Sequence, residues 1–396
     1  MAEVEKNIIK PSKPSPWNDP AVRSVVFQAV ALSAVLYFFY IIFQNTLHNM
    51  ETRGITTGFA FLNKSAGFGI LMSLIEYDES HTYGRTFLVG LLNTLLVTFL
   101  GIIMATVIGF IVGVARLSSN WIISRLAAVY IETLRNIPLL LQIFFWYFAV
   151  LQVLPGPRNS MVWNEVFFLN NRGFYAPAPV FESGSGVVIG AFVLAIVLII
   201  AVARWAHKRQ EATGQQFHTV YVSLGILIGL PTIAFFVSGR PIGIEYPALS
   251  GFNFKGGTNV IPELMALLWA LSFYTAAFIA EIVRAGILAV SHGQTEAAHA
   301  LGLRNSPTLR LVVIPQALRV IIPPLTSQYL NLAKNSSLAT AIGYPDLVAV
   351  FMGTTLNQTG QAVEIVAMTM AVYLTISLTI SAFMNWYNKS KALVER

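Results

Sequence analysis

Eight stretches of this chain are apolar for about the thickness of a bilayer: 21–43, 87–115, 131–154, 187–205, 220–238, 263–289, 311–332 and 363–386. That recurrence narrows the fold more than any motif does. A helical span needs roughly 20 predominantly apolar residues. Lipid offers no water to backbone N–H and C=O groups, so each span must pair them internally, as a helix does. Only 11% of the residues are charged, against about 25% in a soluble domain. The expected fold class is therefore an all-α integral membrane protein with about eight transmembrane helices.

Charge orients the spans. Residues 1–20 are polar, with Lys6, Lys10 and Lys13 among several prolines, and read as a flexible cytoplasmic tail. The run 21–43 exceeds a signal-peptide core and lacks an obvious cleavage site, so it reads as an uncleaved anchor. With eight spans, 8 of the 25 Lys and Arg fall outside and 17 inside. Because basic residues favour the cytoplasmic side, both termini are expected to be cytoplasmic. The net charge of +7 then needs no nucleic acid to explain it. The chain has no cysteine, which removes disulfides, thiol nucleophiles and Cys-based metal sites. No Gly-x-x-x-x-Gly-Lys-Ser/Thr phosphate loop occurs, so ATP cannot be held in that way. The six histidines are scattered. His292 and His299 share one region, but no ligand set completes a metal site there.

The polar break at 291–310, between the sixth and seventh spans, organises the rest. Thr295 is expected to cap a short helix, with Glu296 at the positive end of its dipole. Ala297, Ala298, Ala300 and Leu301 make a small-residue apolar face, and Gly302 ends the turn in the left-handed region. Such a helix can be offered to a groove on another protein; otherwise it is an ordinary surface helix. The order Glu296-Ala297-Ala298, three residues, Gly302, then Val312, Ile314 and Pro315 resembles the EAA loop of permease subunits of bacterial ATP-driven importers. That resemblance implies docking on a separate ATPase through Gln294, Glu296, Ala297, Ala298, Gly302 and Leu303. Val312 and Ile314 depart mildly from the usual Ile and Leu.

Other polar residues in the spans have two readings each. Glu132-x-x-Arg135 and Glu281-x-x-Arg284 each set opposite charges on one helix face. Each pair either neutralises itself near the interface or forms an inner gate that re-pairs. The stretch Asn331-Leu-Ala-Lys334-Asn335-Ser336-Ser337 ends the seventh span. It is either a capped helix end with a snorkelling lysine or the lining of a zwitterion path. Gln328, Asn136, Gln142 and Tyr274 are further candidates for that path, or else interhelical glue.

Arg135-Asn-Ile-Pro138-Leu-Leu-x-Gln142, Glu281-x-x-Arg284-x-Gly286-Ile and Lys334-x-Ser-Ser-Leu also resemble permeases of polar amino-acid importers. The likeness covers roughly 84–155 and 263–387. It implies a five-helix permease core, here carrying an N-terminal anchor helix and an inserted helix pair, as in general L-amino-acid systems. The expected organisation is 1–86 for the tail, anchor helix and outer loop, and 87–154 for the first part of the core. Residues 155–262 form the insert, and 263–396 the second part of the core with the coupling loop 291–310. Also implied are a bacterial inner-membrane location, an ATPase dimer that holds ATP and Mg, a second related permease, and a periplasmic amino-acid-binding protein. The chain itself would hold no cofactor and catalyse nothing. In relatives carrying cationic amino acids the position six before the lysine is often glutamate; here it is Gln328. The competing classes are a secondary amino-acid transporter, which would need mid-span carboxylates, and a membrane scaffold that needs no coupling helix.

Overall fold

The computed structural model describes residue 17 and residues 19–52 and 57–391. The basic tail with Lys6, Lys10 and Lys13, and also Arg53 and Arg396, lies outside the described residues. Among those described, seven helices are long and apolar enough to cross a membrane, or eight if one bent pair is taken as a span. With the bent pair included, the count equals the eight apolar runs.

The first helix, α1 (Pro20–Thr52), stands apart, with only Met50 buried. An apolar helix exposed all round belongs against lipid. After the outer turns comes α2 (Tyr83–Arg116), which lies along α7 (Pro262–Leu288) at the centre of the bundle. Glycines allow this close approach. A Cβ on Gly109 would sit 2.6 Å from Cβ of Ile279, and one on Gly113 would sit 2.7 Å from the Ala280 carbonyl oxygen. Small residues at such positions let helices approach where the hydrophobic effect cannot draw them together. On α7 itself, Leu267, Leu271, Ile279 and Val283 are fully buried.

The third apolar run is not one straight helix. α3 (Trp121–Asn136) ends at Ile137, and α4 (Leu139–Phe144) restarts after Pro138, continuing as a wider π-helical stretch to Leu151. The two arms meet at 108°. The residue before a proline is driven from helical to extended backbone, and Ile137 sits at φ −94°, ψ 126°. The span expected at 131–154 is thus a shorter arm at 139–151, preceded by a helix that begins at Trp121.

The insert holds β structure that the apolar pattern does not signal. β1 (Met161–Trp163), β2 (Phe167–Asn170) and β3 (Gly173–Ala176) form an antiparallel meander, and β4 (Ala178–Phe181) follows. Two apolar helices, α5 (Ser185–Thr213) and α6 (Thr219–Val237), then pack on each other as a hairpin. β5 (Ile242–Glu245) pairs with β4, and β6 (Ala248–Ser250) pairs with β7 (Asn253–Lys255). β8 (Thr258–Val260) completes the first sheet by pairing with β3. Chain on both sides of the helix hairpin is therefore knitted together, and β8 leads straight into α7.

Beyond α7 come α8 (His292–Ala300), α9 (Asn305–Thr308), a π turn over Leu309–Val313, and α10 (Ile314–Asn335). Pro315 comes just after the π turn, and helical backbone continues from it through Pro323 and Pro324. Gly286 on α7 meets α10, and a Cβ there would lie 2.3 Å from Cγ1 of Ile321. Residues 336–355 fold back as a 3-10 turn and a π-helical stretch, followed by α11 (Leu356–Thr359) and α12 (Ala362–Lys391).

Candidate functional site

α7 has 27 residues, so its ends lie about 40 Å apart at 1.5 Å per residue. The sheets of the insert stand at its start and α8 at its end. Between these ends, the polar candidates fall into three groups.

The first is the break after α7. α8 begins one turn earlier than expected: its N-cap is Ser291, without a side-chain cap, and Thr295 lies inside the helix. Glu296 accepts a bond from His292 Nδ1 at 3.0 Å instead of serving only the dipole. Ala298 is buried, while Gln294, Glu296, Ala297 and Ala300 are exposed and Leu303 is half-buried. The small-residue face is thus split, with Ala298 packing inward and Ala297 and Ala300 facing out. Leu301 is 83% exposed, which leaves an apolar knob largely uncovered by the described residues. Gly302 ends α8 at φ +79° with open space around it, as the left-handed reading required. Gln316 of α10 donates to Gln294 at 3.3 Å and ties α8 to the next helix.

The second group surrounds a cavity of about 290 Å³ lined by Arg116, Glu132, Arg135, Glu281 and Arg284. The two matching sequence patterns differ in space. Arg284 grips Glu281 with Nη2–Oε1 at 2.6 Å and Nε–Oε2 at 3.0 Å. Arg135 makes no ion pair with Glu132; its guanidinium lies over the Phe278 ring, 5.1 Å from the centroid. Arg116 donates to the Ser124 hydroxyl. One pair is closed and the other open, around a shared cavity.

The third group is on α10. Asn331 and Lys334 are exposed, and Gln328 and Asn335 half-buried, on a face that the described residues leave partly open. The opposite face is core: Tyr329 is buried and meets Thr106 Oγ1 at 2.8 Å. Ser336 points away from the open face; it is buried and donates to the Ala333 carbonyl. Tyr274 is half-buried beside Phe278, with centroids 5.0 Å apart. Asn136 is exposed and donates to its own helix at Glu132.

Gln142 holds the bend. Its amide donates to the carbonyls of Leu134 and Ile137, both at 2.9 Å. These carbonyls belong to the helix end that Pro138 terminates, so the side chain replaces backbone donors the proline interrupts.

The sequence reading passed over Asp346, which is fully buried. Its carboxylate accepts from Ala349 N at 2.8 Å and from the hydroxyls of Thr340 and Tyr373 at 3.4 Å. Nearby, the Asn93 amide donates to the carbonyls of Met72 and Pro345, and Thr94 accepts from Leu347 N. These bonds anchor the returning segment against α2. A lone Asp in a loop-like stretch carries no sequence signal for this. A polar recess of the insert also went unread: about 470 Å³, with Asn171, Arg172, Asn259 and Glu263 among its lining.

A multi-pass helical bundle with a polar break between its central helices, an exposed knob at that break and a partly open polar face on α10 is the build of a transport subunit made to pack against other chains. The chain belongs to the family of binding-protein-dependent transport system inner membrane components, which it matches over residues 98–392. It is 57% identical over 378 residues to the putative amino-acid ABC transporter permease protein YhdX of Escherichia coli, covering 96% of each chain. It is 55% identical to the general L-amino acid transport system permease protein AapQ of Rhizobium johnstonii, covering 96% of this chain and 94% of that one. A crystal structure of an amino acid ABC transporter with histidines covers 78% of this chain and 95% of its own, at 22% identity and a TM-score of 0.46. As a member of this inner-membrane family, the chain is a transport subunit, and membership implies ATPase and binding-protein partners.

Proposed function

We propose that the chain is the permease subunit of an ATP-driven amino-acid importer, with α8 as its contact to the ATPase. The observation that carries the docking assignment is the exposed Leu301 knob, set by Gly302 at the end of a helix tied into α7 and α10. The knob would seat in a groove on the ATPase, where ATP and Mg are held. The α8 end and both termini are then cytoplasmic, and the insert faces the binding protein. The open face of α10, with Gln328, Asn331, Lys334 and Asn335, lines the path against a second, related permease, with Asn136 and Tyr274 toward its inner side. Ser336 and Gln142 support that path from behind. The cavity between Glu281–Arg284 and Glu132, Arg135 serves as the inner gate. The amino-acid assignment rests on the two relatives, and AapQ's general L-amino acid system favours a broad range.

Gly302→Trp tests the docking. The bulky, left-handed-averse residue should leave the subunit in the membrane and uncouple ATP hydrolysis from uptake in the reconstituted complex. Normal coupled uptake by the assembled Gly302→Trp complex would remove α8 from the interface.

A further inference from the structure

The recess in the insert is built from both of its halves. Asn171 and Arg172 lie at the β2–β3 turn and Tyr175 on β3, while Asn253 comes from β7 and Asn259 from β8. Gln152, at the end of the bent arm, and Glu263, in the first turn of α7, add to it, with Leu71, Ile261 and Pro262 as its apolar lining. The cavity measures about 470 Å³, at the scale of small-molecule pockets, which run from about 300 Å³ upward.

Two opposite charges line this recess, and neither belongs to an ion pair within 4 Å among the described residues. Glu263 is only 9% exposed. The Tyr147 hydroxyl donates to its Oε1 at 2.8 Å, while Oε2 is buried and has no hydrogen-bond partner. Asn171 Oδ1 is likewise buried without a partner. Two unmet acceptors, one of them on a carboxylate, call for a donor-rich cation. A buried acceptor left unpaired is costly, so the site is incomplete as it stands. Arg172 offers the converse, a planar fork of donors suited to a carboxylate. Tyr175 and its partner Asn253 hold the wall, the phenol donating to Asn253 Oδ1 at 2.9 Å. Burial pushes the Tyr175 phenol up, partly offset by that bond and by the Arg172 charge, so it remains a neutral donor.

We infer that this recess is an entry site for a free α-amino acid, its ammonium held by Glu263 and Asn171 and its carboxylate by Arg172. The inference deepens the importer reading and rests on it for the ligand class. It places a first stop on the insert, separate from the face of α10. Selection there acts on the backbone groups that all α-amino acids share, with the side chain left toward the open mouth, where Asn259 is exposed. A recess that merely fills with water would show no preference among solutes.

Because the chain has no cysteine, Asn259→Cys gives a single reporter at the rim. The complex of this subunit with its partner permease and ATPase, in nanodiscs and without binding protein, is alkylated with a maleimide. L-alanine at ten times its half-saturating concentration should slow the reaction on the order of tenfold, by simple occupancy. Propionate and ethylamine, which each keep one of the two charges, should not slow it. Arg172→Gln and Glu263→Gln should each abolish protection. Should either variant fail to assemble, the comparison of the three solutes on the parent complex still decides. Equal rates with and without alanine, protection by propionate or ethylamine alone, or protection that survives both substitutions would overturn the inference. ATP-driven alanine uptake, measured on the same complex with binding protein restored, is independent of these arms. Uptake without protection would sink the entry site and leave the importer reading intact; absent uptake would strike that reading itself.

Discussion

Gln328, one turn before Asn331 on the open face of α10, brings a neutral amide where a fixed charge would select. Replacing it with Glu puts a carboxylate one turn from Asn331 and two from Asn335 on that face. The expected result is a preference for arginine over glutamate raised about tenfold, the equivalent of about 1.4 kcal/mol of differential binding. Competition uptake assays with arginine, glutamate and leucine read that ratio; unchanged ratios would show that Gln328 only packs. Single residues were the least legible part of the sequence. Glu132-x-x-Arg135 and Glu281-x-x-Arg284 look alike in the chain, yet only the second pairs. The first opens because Phe278, distant in sequence, gives Arg135 an aromatic face. Gln142 reads from the sequence as either a path residue or interhelical glue; in the fold it bonds within its own bent segment, to the carbonyls at the Pro138 break. In each case the partner is set by the folded geometry, which spacing along one helix does not encode.

Helices were more legible, since an apolar run in lipid has one backbone solution. α2 and α7 show what fixes their contact. Gly113 meets the Ala280 carbonyl and Val283 so closely that any side chain must displace backbone. Gly113→Leu should therefore lower the thermal stability of the detergent-purified subunit by overpacking, costing about 1–3 kcal/mol or more. Gly190→Leu on α5, where a Cβ would meet nothing within 4 Å, should change it little. Equal stability of the two variants would mean that the helices can separate at no cost. The strands of the insert escaped notice because each is three or four residues long and closed by partners far along the chain, as β3 is by β8. The bend at Pro138 carried a clear local signal, but the apolar run continues through it and masks the break.

At the scale of the whole molecule, the distribution of Lys and Arg supports an orientation with α8 and both chain ends in the cytoplasm. With no native cysteine, Glu211→Cys at the foot of α5 and Glu296→Cys on α8 should resist an impermeant maleimide added to intact cells and react once the cells are opened. Labelling of either from outside would invert the arrangement. The same inside end is where the account places the source of free energy: a separate ATPase pushing on α8, rather than an ion gradient acting on carboxylates within the spans. The most direct measurement is uptake of radiolabelled amino acid into proteoliposomes holding this subunit with its partner permease and ATPase, with binding protein supplied at the insert face. Accumulation should require ATP at the α8 face together with binding protein, and should persist when proton and sodium gradients are collapsed. Accumulation driven by either gradient without ATP would contradict it.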